Sequence, residues 1–313
     1  MYAIYKHPFF YTFNTIHMYV ITGATGHTGK RIAENLLAAG KKVTAIARNP
    51  EKLAPLSEKG ATVIATDLGD VATLTAAFKD ASVVYLMIPP IWNTTNWRAS
   101  MRAQAQAYEQ AVRESGIKKI VLLSSQGAHR TEGNGPVGGL GEFENMLKAI
   151  PGIDVLALRP CYFMENLFSS VPMIQHAGIN GGVQKGDMRF PLVHTRDIAE
   201  VATKALLNLD FSGYSHQFIV GPSEYNFREI TTLIGKTIGK PELPYVEFTP
   251  ADGKAGMMQA GLPETIADGY VEMAGAMNEG VFFEGYQHSP EIATPTSLEW
   301  FVENELKHAF EQA

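Results

Sequence analysis

Three glycines spaced three residues apart, Gly23, Gly26 and Gly29, follow the short apolar run at residues 19–22. Glycine here lets the backbone turn sharply and approach a pyrophosphate, and the third glycine lets the next helix pack closely on the strand. The free N–H groups and the positive dipole end at the start of such a helix attract an anion. An apolar helical pattern follows, and a second apolar run lies at residues 43–47. The spacing therefore predicts a phosphate-binding turn between a strand and a helix.

Two cations, Arg48 and Lys52, follow the second apolar run. In an NAD site an acidic residue about 20 positions after the glycines accepts the adenosine ribose hydroxyl, whereas an arginine there accommodates a 2′-phosphate. No carboxylate ends the run at residues 43–47. The pattern favours NADP(H) as the cofactor, with NAD(H) as the alternative. A solvated surface arginine with no ligand is the other interpretation.

The composition is that of an ordinary globular protein. The chain has 313 residues, of which 45% are hydrophobic and 19% are charged, and its formal net charge is -6. It lacks a lysine- or arginine-rich run, so we expect no direct nucleic-acid binding and no membrane binding. The single cysteine, Cys161, fits a reducing cytoplasm, and the scattered histidines predict no metal site. The expected partners are a small-molecule substrate or a regulatory protein.

Residues 1–17 form an aromatic-rich leader that ends abruptly before the first apolar run. The leader lacks the long apolar segment of a signal peptide and is too short and polar to span a membrane. We expect Met18 to be the functional start and the leader to be an appendage. A docking or edge segment is the alternative, because so many aromatic side chains seldom stay exposed.

Apolar strands alternate with amphipathic helices after the leader. Strands are expected at residues 19–22, 43–47, 61–66, 82–87, 118–123 and 154–158, and helices near 71–78, 97–115 and 142–149. Continuous apolar strands of this type are buried on both faces of a parallel sheet. The pattern predicts an α/β fold with a doubly wound parallel sheet in a nucleotide-binding domain, residues 18–160.

Glycine and proline interrupt the second half of the chain. We expect short strands at residues 192–194 and 217–220, a helix capped by Asp197, and amphipathic helices at 227–238 and 298–310. Residues 161–313 are predicted to form a smaller, mixed substrate-binding lobe, with segments that return to the sheet. Ligands of open α/β sheets bind at the carboxyl ends of the strands, so the cleft should lie between the two halves.

Several segments together resemble the NmrA-like family of atypical short-chain dehydrogenases/reductases. They lie at residues 23–29, 47–52, 66–68, 159–166 and 190–199, and the similarity extends over nearly the whole chain after Met18. The resemblance implies an extended Rossmann fold that binds NADP(H) or NAD(H). It also implies one of two functions: a reductase of quinone-like or other small electrophilic substrates, or a redox sensor that reports nucleotide state to a protein partner.

The resemblance also implies residues for the cofactor site. It assigns Gly23, Thr25, Gly26, His27, Thr28 and Gly29 to the pyrophosphate turn, Arg48 and Lys52 to the 2′-phosphate, Asp67 and Leu68 to the adenine, Ile88, Pro89 and Ser124 to the ribose and nicotinamide side, and Tyr162 and Asn166 to a turn over the nicotinamide. Asp67, Pro89 and Asn166 are equally typical of helix caps and turns.

The usual proton-donating pair of short-chain dehydrogenases, Tyr-x-x-x-Lys, occurs only at Tyr2 and Lys6, before the first strand. The resemblance also implies a lysine in the helix after the fifth strand, but this chain has Leu140 there. The catalytic residues are therefore unknown from the sequence. Candidates for proton donation are Ser125, Tyr162 and His129, and a solvent-facing loop residue is the alternative for His129.

Aromatic side chains flank the expected cleft and are suited to stacking on a flat aromatic substrate. Trp92, Phe163 and Phe168 are the predicted substrate contacts, together with Trp97 and Met164, and a core role is the alternative for each. Residues 132–141, rich in glycine, are interpreted as a mobile lid or a passive surface loop. The sequence predicts an NADPH-dependent reductase of a small electrophile such as a quinone, with a non-catalytic NADP(H) sensor as the alternative.

Overall fold

A computed structural model describes residues 17–311, so the predicted leader apart from His17 lies outside the described residues. Seven parallel strands form the central sheet in the order β10-β6-β5-β4-β1-β2-β3. The strands are β1 (Met18–Thr22), β2 (Lys42–Ala47), β3 (Thr62–Ala65), β4 (Val83–Leu86), β5 (Lys119–Leu123), β6 (Asp154–Pro160), β7 (Tyr162–Phe163), β8 (Asn180–Gly182), β9 (Phe190–Val193), β10 (Tyr214–Ile219), β11 (Glu224–Tyr225) and β12 (Tyr245–Glu247).

Helices cover both faces of this sheet. They are α1 (His27–Ala38), α2 (Pro50–Glu58), α3 (Val71–Lys79), α4 (Trp97–Ser115), α5 (Pro136–Lys148), α6 (Val171–Ala177), α7 (Thr195–Asn208), α8 (Phe227–Thr237), α9 (Pro250–Gln259), α10 (Glu264–Asn278), α11 (Leu298–Phe301) and α12 (Lys307–Glu311). Short 3₁₀ segments lie at Met164–Ser170 and Val281–Phe283, and a π-helical turn at Val302–Leu306 joins α11 to α12. The predicted α/β fold with a doubly wound parallel sheet is confirmed.

Alternate residues of each strand fill two separate cores. In β1, Tyr19 and Ile21 pack on the side of α1 and α7, whereas Val20 packs on the side of α3, α4 and α5. This period of two follows from the pleat of a β-strand. The inner strands are covered on both faces and largely apolar, whereas the edge strands β3 and β10 are partly exposed. The carboxyl ends of the strands are left as the ligand-binding edge.

Helix α4 begins and ends where the sequence predicts. Asn96 caps it by accepting a hydrogen bond from the backbone N–H of Ala99 at 3.0 Å. Gly116 ends it in the left-handed region, with φ 73°, a conformation that glycine adopts without steric cost.

Helix α5 begins six residues earlier than predicted, at Pro136 rather than residue 142, so the interpretation of residues 132–141 as a lid or a loop is wrong for residues 136–141, and only residues 132–135 form a loop. The glycines serve close packing instead of mobility. A Cβ at Gly138 would lie 2.6 Å from the carbonyl oxygen of Thr131, and one at Gly141 would lie 2.5 Å from that of Ala128. Proline at the start of a helix is favoured, because its missing N–H would be unpaired there.

The second half of the chain builds two small sheets, β11-β9-β7 and β12-β8, and also supplies β10, which pairs with β6 at the edge of the central sheet. The prediction that Asp197 caps a helix is wrong. His194 is the cap of α7, since its Nδ1 accepts the backbone N–H of Arg196 at 3.0 Å. The Asp197 carboxylate instead accepts the N–H and the hydroxyl of Thr296, at 2.9 and 2.8 Å.

Within residues 17–311, no helix has the length and apolar character needed to cross a membrane.

Candidate nucleotide-binding and active site

The glycine turn joins β1 to α1 at the centre of the sheet's carboxyl edge. Gly23 has φ +63°, and a Cβ there would lie 2.5 Å from the sulfur of Met87. A Cβ at Gly29 would lie 2.4 Å from the carbonyl oxygen of Gly23. The turn and the close packing of helix on strand therefore require glycine at both positions.

The first turn of α1 is open to an anion. Gly26 occupies the cap position, and within the described chain no side chain caps the helix and no acidic residue lies in its first turn. The first N–H groups of a helix have no acceptor inside the helix, and together they carry a partial positive charge. Thr25 is half-buried and His27 is exposed at this turn. The residues present therefore fit a pyrophosphate, which supplies the acceptor oxygens that the helix lacks.

Buried hydrogen bonds hold the turn on the neighbouring strand. The hydroxyl of Thr22 donates to the carbonyl oxygen of Tyr85 at 2.9 Å, and the hydroxyl of Tyr85 donates to that of Thr28 at 3.2 Å. These contacts tie β1, β4 and α1 together. The threonine predicted to contact the pyrophosphate, Thr28, is 6% exposed, and its hydroxyl oxygen is also an acceptor within this network.

Arg48 and Lys52 lie at the carboxyl end of β2, next to the glycine turn. Both side chains are exposed, and neither forms an ion pair with another residue in the described range. Asn49 caps α2 by accepting the N–H of Lys52 at 3.1 Å. Since Lys52 is in the first turn of α2, the two cations lie near the same helix N-terminus, where a phosphate is favoured. Their assignment to a 2′-phosphate stays a prediction.

The residues predicted for the adenine and ribose lie on the next strand ends. Asp67 is exposed after β3, and its Oδ1 accepts the N–H of Gly69 at 2.8 Å, so it forms a turn of its own. Leu68 is buried. Ile88 is buried and Pro89 half-buried after β4. The fold thus brings these four side chains to the same edge as the glycine turn, and their contacts with a nucleotide remain predictions.

Ser124 ends β5 and belongs to a buried ionic network. Its hydroxyl donates to Glu144 of α5, and the same carboxylate accepts from Arg159 Nε at 3.0 Å and from the Tyr214 hydroxyl at 2.5 Å. The side chains of Arg159 and Glu144 are 8% and 3% exposed. Burial alone would lower the pKa of Arg159, but its hydrogen bonds and ion pair with Glu144 outweigh burial and raise it. Because the Ser124 hydrogen is committed to Glu144, its oxygen faces a ligand as an acceptor only.

Two further candidates for proton donation, Ser125 and His129, are paired within the protein, and Leu140 carries no donor. The Ser125 hydroxyl donates to the neighbouring carbonyl oxygen of Gln126 at 2.9 Å. His129 is exposed and lies 2.9 Å from a carboxylate oxygen of Glu284, in the solvent-facing position that was its alternative. Leu140 packs between the helices on this face of the sheet and the apolar cluster around α10. None of these three therefore presents a free donor at the end of β5.

Tyr162 follows β6 and lies among aromatic side chains of the lobe. It packs edge-on against Phe190, with ring centroids 5.3 Å apart, and against Phe227, at 6.0 Å. Burial raises the pKa of Tyr162 to about 12, and Tyr270 of α10 adds to the rise. Tyr162 thus stays protonated at neutral pH. Asn166, predicted for the same turn, is exposed.

The predicted substrate contacts have different environments. Phe168 is partly buried and packs edge-on against Phe301 beside the lobe core, with centroids 5.4 Å apart, which agrees with the core role that was its alternative; its contact with a substrate stays a prediction. Trp97 is buried beneath Gly269 of α10, and Phe163 packs against the core beside α7. Trp92 is 52% exposed and stacks on Tyr270. Of these, Trp92 alone presents a large free ring surface.

Sequence reasoning missed four residues at this edge: Glu144, Arg159, Gln126 and Tyr270. Arg159 lies in a segment that carries the family resemblance and Glu144 does not, and nothing in the sequence pairs them. Gln126 is buried, and its amide nitrogen has no hydrogen-bonding partner within residues 17–311. Tyr270 was missed because α10 was not predicted. The one signal in the sequence was Arg159 at the end of an apolar strand, because a buried arginine is almost always paired with an acidic residue.

A glycine turn at the carboxyl edge of a seven-stranded parallel sheet defines a dinucleotide-binding Rossmann protein. Residues 23–157 match the family model described as NAD(P)H-binding. This match agrees with the resemblance to the NmrA-like family seen in the sequence, and the relatives that the chain resembles include NAD(P)H-dependent oxidoreductases. The predicted NADP(H) cofactor is confirmed.

Named relatives cover nearly the whole chain. The chain is 29% identical over 287 residues to quinone oxidoreductase 2 of Escherichia coli, covering 90% of this chain and 95% of that protein. It is 26% identical to an NAD(P)H azoreductase of Xenophilus azovorans, with 84% and 85% covered. A crystal structure of the Escherichia coli NADPH-dependent quinone oxidoreductase complexed with NADPH superposes with a TM-score of 0.79 at 25% identity, covering 92% of this chain and 99% of that one.

Proposed function

We propose that this protein reduces a quinone-like electrophile by hydride transfer from NADPH. The observation that carries the proposal is the state of the candidate proton donors: Ser124 and Ser125 donate their hydrogens within the protein, and burial raises the pKa of Tyr162 to about 12, which makes it a weak general acid. Reduction of a simple ketone needs a positioned acid, which typically contributes 10²–10⁴-fold to the rate. A quinone is electrophilic enough to accept hydride with little acid help. The similarity to a quinone oxidoreductase and an azoreductase supports the same class of acceptor.

The chain's own residues have distinct tasks in this proposal. NADPH, when bound, supplies the hydride. The open N-terminus of α1 binds the pyrophosphate, and Arg48 with Lys52 binds the 2′-phosphate by charge-assisted hydrogen bonds. Ser124, held by Glu144, accepts a hydrogen bond on the nicotinamide side. Leu140, packed between two apolar clusters, adds neither a donor nor a charge to this site.

Steady-state NADPH oxidation with a panel of acceptors tests this function. A naphthoquinone should be reduced well above the rate without acceptor, whereas a simple ketone of similar size should be reduced slowly or not at all. NADPH binding is measured in parallel by calorimetry, without acceptor. Binding of NADPH with no oxidation by quinone or azo acceptors would contradict the proposal and favour the alternative prediction, a redox sensor that regulates a protein partner.

A further inference from the structure

Two aromatic side chains from distant parts of the chain stack at the exposed end of the cleft. Trp92 lies in the loop after β4 and Tyr270 in α10. Their ring centroids are 5.8 Å apart, and their planes differ by 13°. Trp92 is 52% exposed, while Tyr270 is half-buried and packs against the core beneath α10. A broad ring that is held in place by a stacked partner offers its free surface to a further ring.

Two phenol hydroxyls in the same region lack partners. Most tyrosine hydroxyls of the described chain are paired: those of Tyr85, Tyr108 and Tyr245 donate to Thr28, Met87 and Gln184. Within residues 17–311, those of Tyr162 and Tyr270 make no hydrogen bond. Burial raises the pKa of each to about 12. Both phenols are therefore neutral donors near pH 7, suited to an uncharged acceptor atom such as a carbonyl oxygen.

The sheet places these groups at the same carboxyl edge. Trp92 follows β4 and Tyr162 follows β6, and these strands flank β5, which ends at Ser124. Neighbouring strands lie about 4.8 Å apart, so the ends of β4 and β6 are separated by about 10 Å. Tyr270 lies close enough to Tyr162 to contribute to its raised pKa, so the stack and both phenols belong to one region of this edge. Helix α10 brings Tyr270 to the same opening, because Gly269 lets its backbone approach the ring of Trp97 closely.

We propose that Trp92, Tyr270 and Tyr162 form a binding site for a flat aromatic molecule that carries a carbonyl oxygen. The ring of the ligand stacks on the free face of Trp92, and a phenol hydroxyl donates a hydrogen bond to the carbonyl oxygen. This inference deepens the proposed function and rests on it, since the ligand is the acceptor that the protein reduces. In this proposal the Trp92–Tyr270 stack makes the site specific for a planar acceptor.

Tryptophan fluorescence reports on this site without turnover. The chain has three tryptophans, and menadione is titrated in the presence of NADP⁺, so that no reduction occurs. Saturable quenching is expected in the unaltered protein and in the control Trp300→Phe, whose tryptophan is 38% exposed and lies over Arg196. Trp92→Phe should lose most of the saturable quenching. Equal quenching in the two variants, or no saturable quenching in the unaltered protein, would overturn the proposed site.

Kinetics with two acceptors then test specificity. Trp92→Ala should raise KM for menadione about two- to tenfold, the range expected from loss of one aromatic pair. The loss in kcat/KM should be smaller for 2,3-butanedione, which has no ring to stack on Trp92. Tyr270→Phe and Tyr162→Phe isolate the hydroxyls, and at least one should raise KM for menadione severalfold with kcat nearly constant.

The failure of this site and the failure of the proposed function give different results. Turnover of menadione with equal KM in Trp92→Ala and Trp300→Ala would overturn the site and leave the function standing. Saturable quenching that depends on Trp92, without NADPH oxidation, would support the site and contradict the function.

Discussion

The buried pair of Glu144 and Arg159 allows a sharp prediction about stability. Their side chains are 3% and 8% exposed, and they share two hydrogen bonds, one of 3.0 Å and one of 2.5 Å. Removing one partner of a buried ion pair leaves an uncompensated charge, and such changes typically cost about 3–5 kcal/mol. Glu144→Gln should therefore lower the free energy of unfolding by about 3 kcal/mol, because the amide oxygen still accepts one hydrogen bond while the charge is lost.

A double-mutant cycle separates the pair from general damage to the core. Glu144→Leu and Arg159→Met should each cost about 3–5 kcal/mol, and the double variant should cost less than their sum, because replacing both charges by apolar groups is often close to neutral. Urea unfolding measures all three. The control is Glu303→Gln in the exposed pair with Lys307, whose side chains are 57% and 35% exposed, where a loss below about 1 kcal/mol is expected.

Additive losses in the cycle, or a cost of Glu144→Gln no larger than that of Glu303→Gln, would refute the reasoning. The same variants test the role given to Ser124. Without the Glu144 carboxylate its hydroxyl hydrogen becomes free, so Glu144→Gln should change the affinity for NADPH more than that for adenosine 2′,5′-bisphosphate, which lacks the nicotinamide.

Three further outcomes are expected. Arg48→Ala should weaken NADPH binding by about tenfold to a hundredfold and leave NADH nearly unchanged, since a charge-assisted hydrogen bond contributes about 1.5–3 kcal/mol; calorimetry with both nucleotides measures this, and equal losses would contradict the assignment. Gly29→Ala places a Cβ 2.4 Å from the Gly23 carbonyl oxygen, so it should abolish nucleotide binding and lower the melting temperature. The control is Gly256→Ala in α9, where a Cβ meets nothing within 4 Å. This variant should keep both nucleotide binding and the melting temperature. Leu140→Lys should raise the rate of ketone reduction by placing a cation beside the cleft. Burial between two apolar clusters lowers the pKa of the new lysine, which limits the gain. Fast ketone reduction by the unaltered protein would show that its catalytic acid lies elsewhere.

The sequence predicted the parts of the fold whose signals are local. Asn96 and Gly116 bound α4 because capping chemistry acts within a few residues of the helix ends. The start of α5 was missed because Gly138 and Gly139 have the composition of a loop, and their real role depends on Thr131 and Met101, which lie elsewhere in the chain. Intrinsic propensity yields to such tertiary packing.

In the candidate site, too, the local features could be predicted from the sequence and the contacts between distant residues could not. The glycine turn is a continuous segment whose spacing is visible in the sequence. The Glu144–Arg159 pair joins a helix to a strand, and the stack of Trp92 on Tyr270 joins residues that are far apart in the sequence. No local sequence pattern therefore predicts either contact. Helix α10 adds a second reason, since its buried positions are mostly alanine and glycine and give only a faint amphipathic signal.

The protonation chemistry around β5 favours one kind of acceptor over another. Ser124 gives its hydrogen to a carboxylate, and Leu140 has none to give. Tyr162 and Tyr270, with pKa values raised to about 12, donate hydrogen bonds but are weaker general acids than a tyrosine whose pKa is lowered toward the working pH. Hydride addition to a ketone under these conditions creates an alkoxide that needs a proton at once. Addition to a quinone creates an anion whose charge is spread over the aromatic ring, and water can protonate it after it leaves. A pocket of this kind therefore selects acceptors by the stability of their reduced anion, which is the physical reason to expect quinones ahead of ketones.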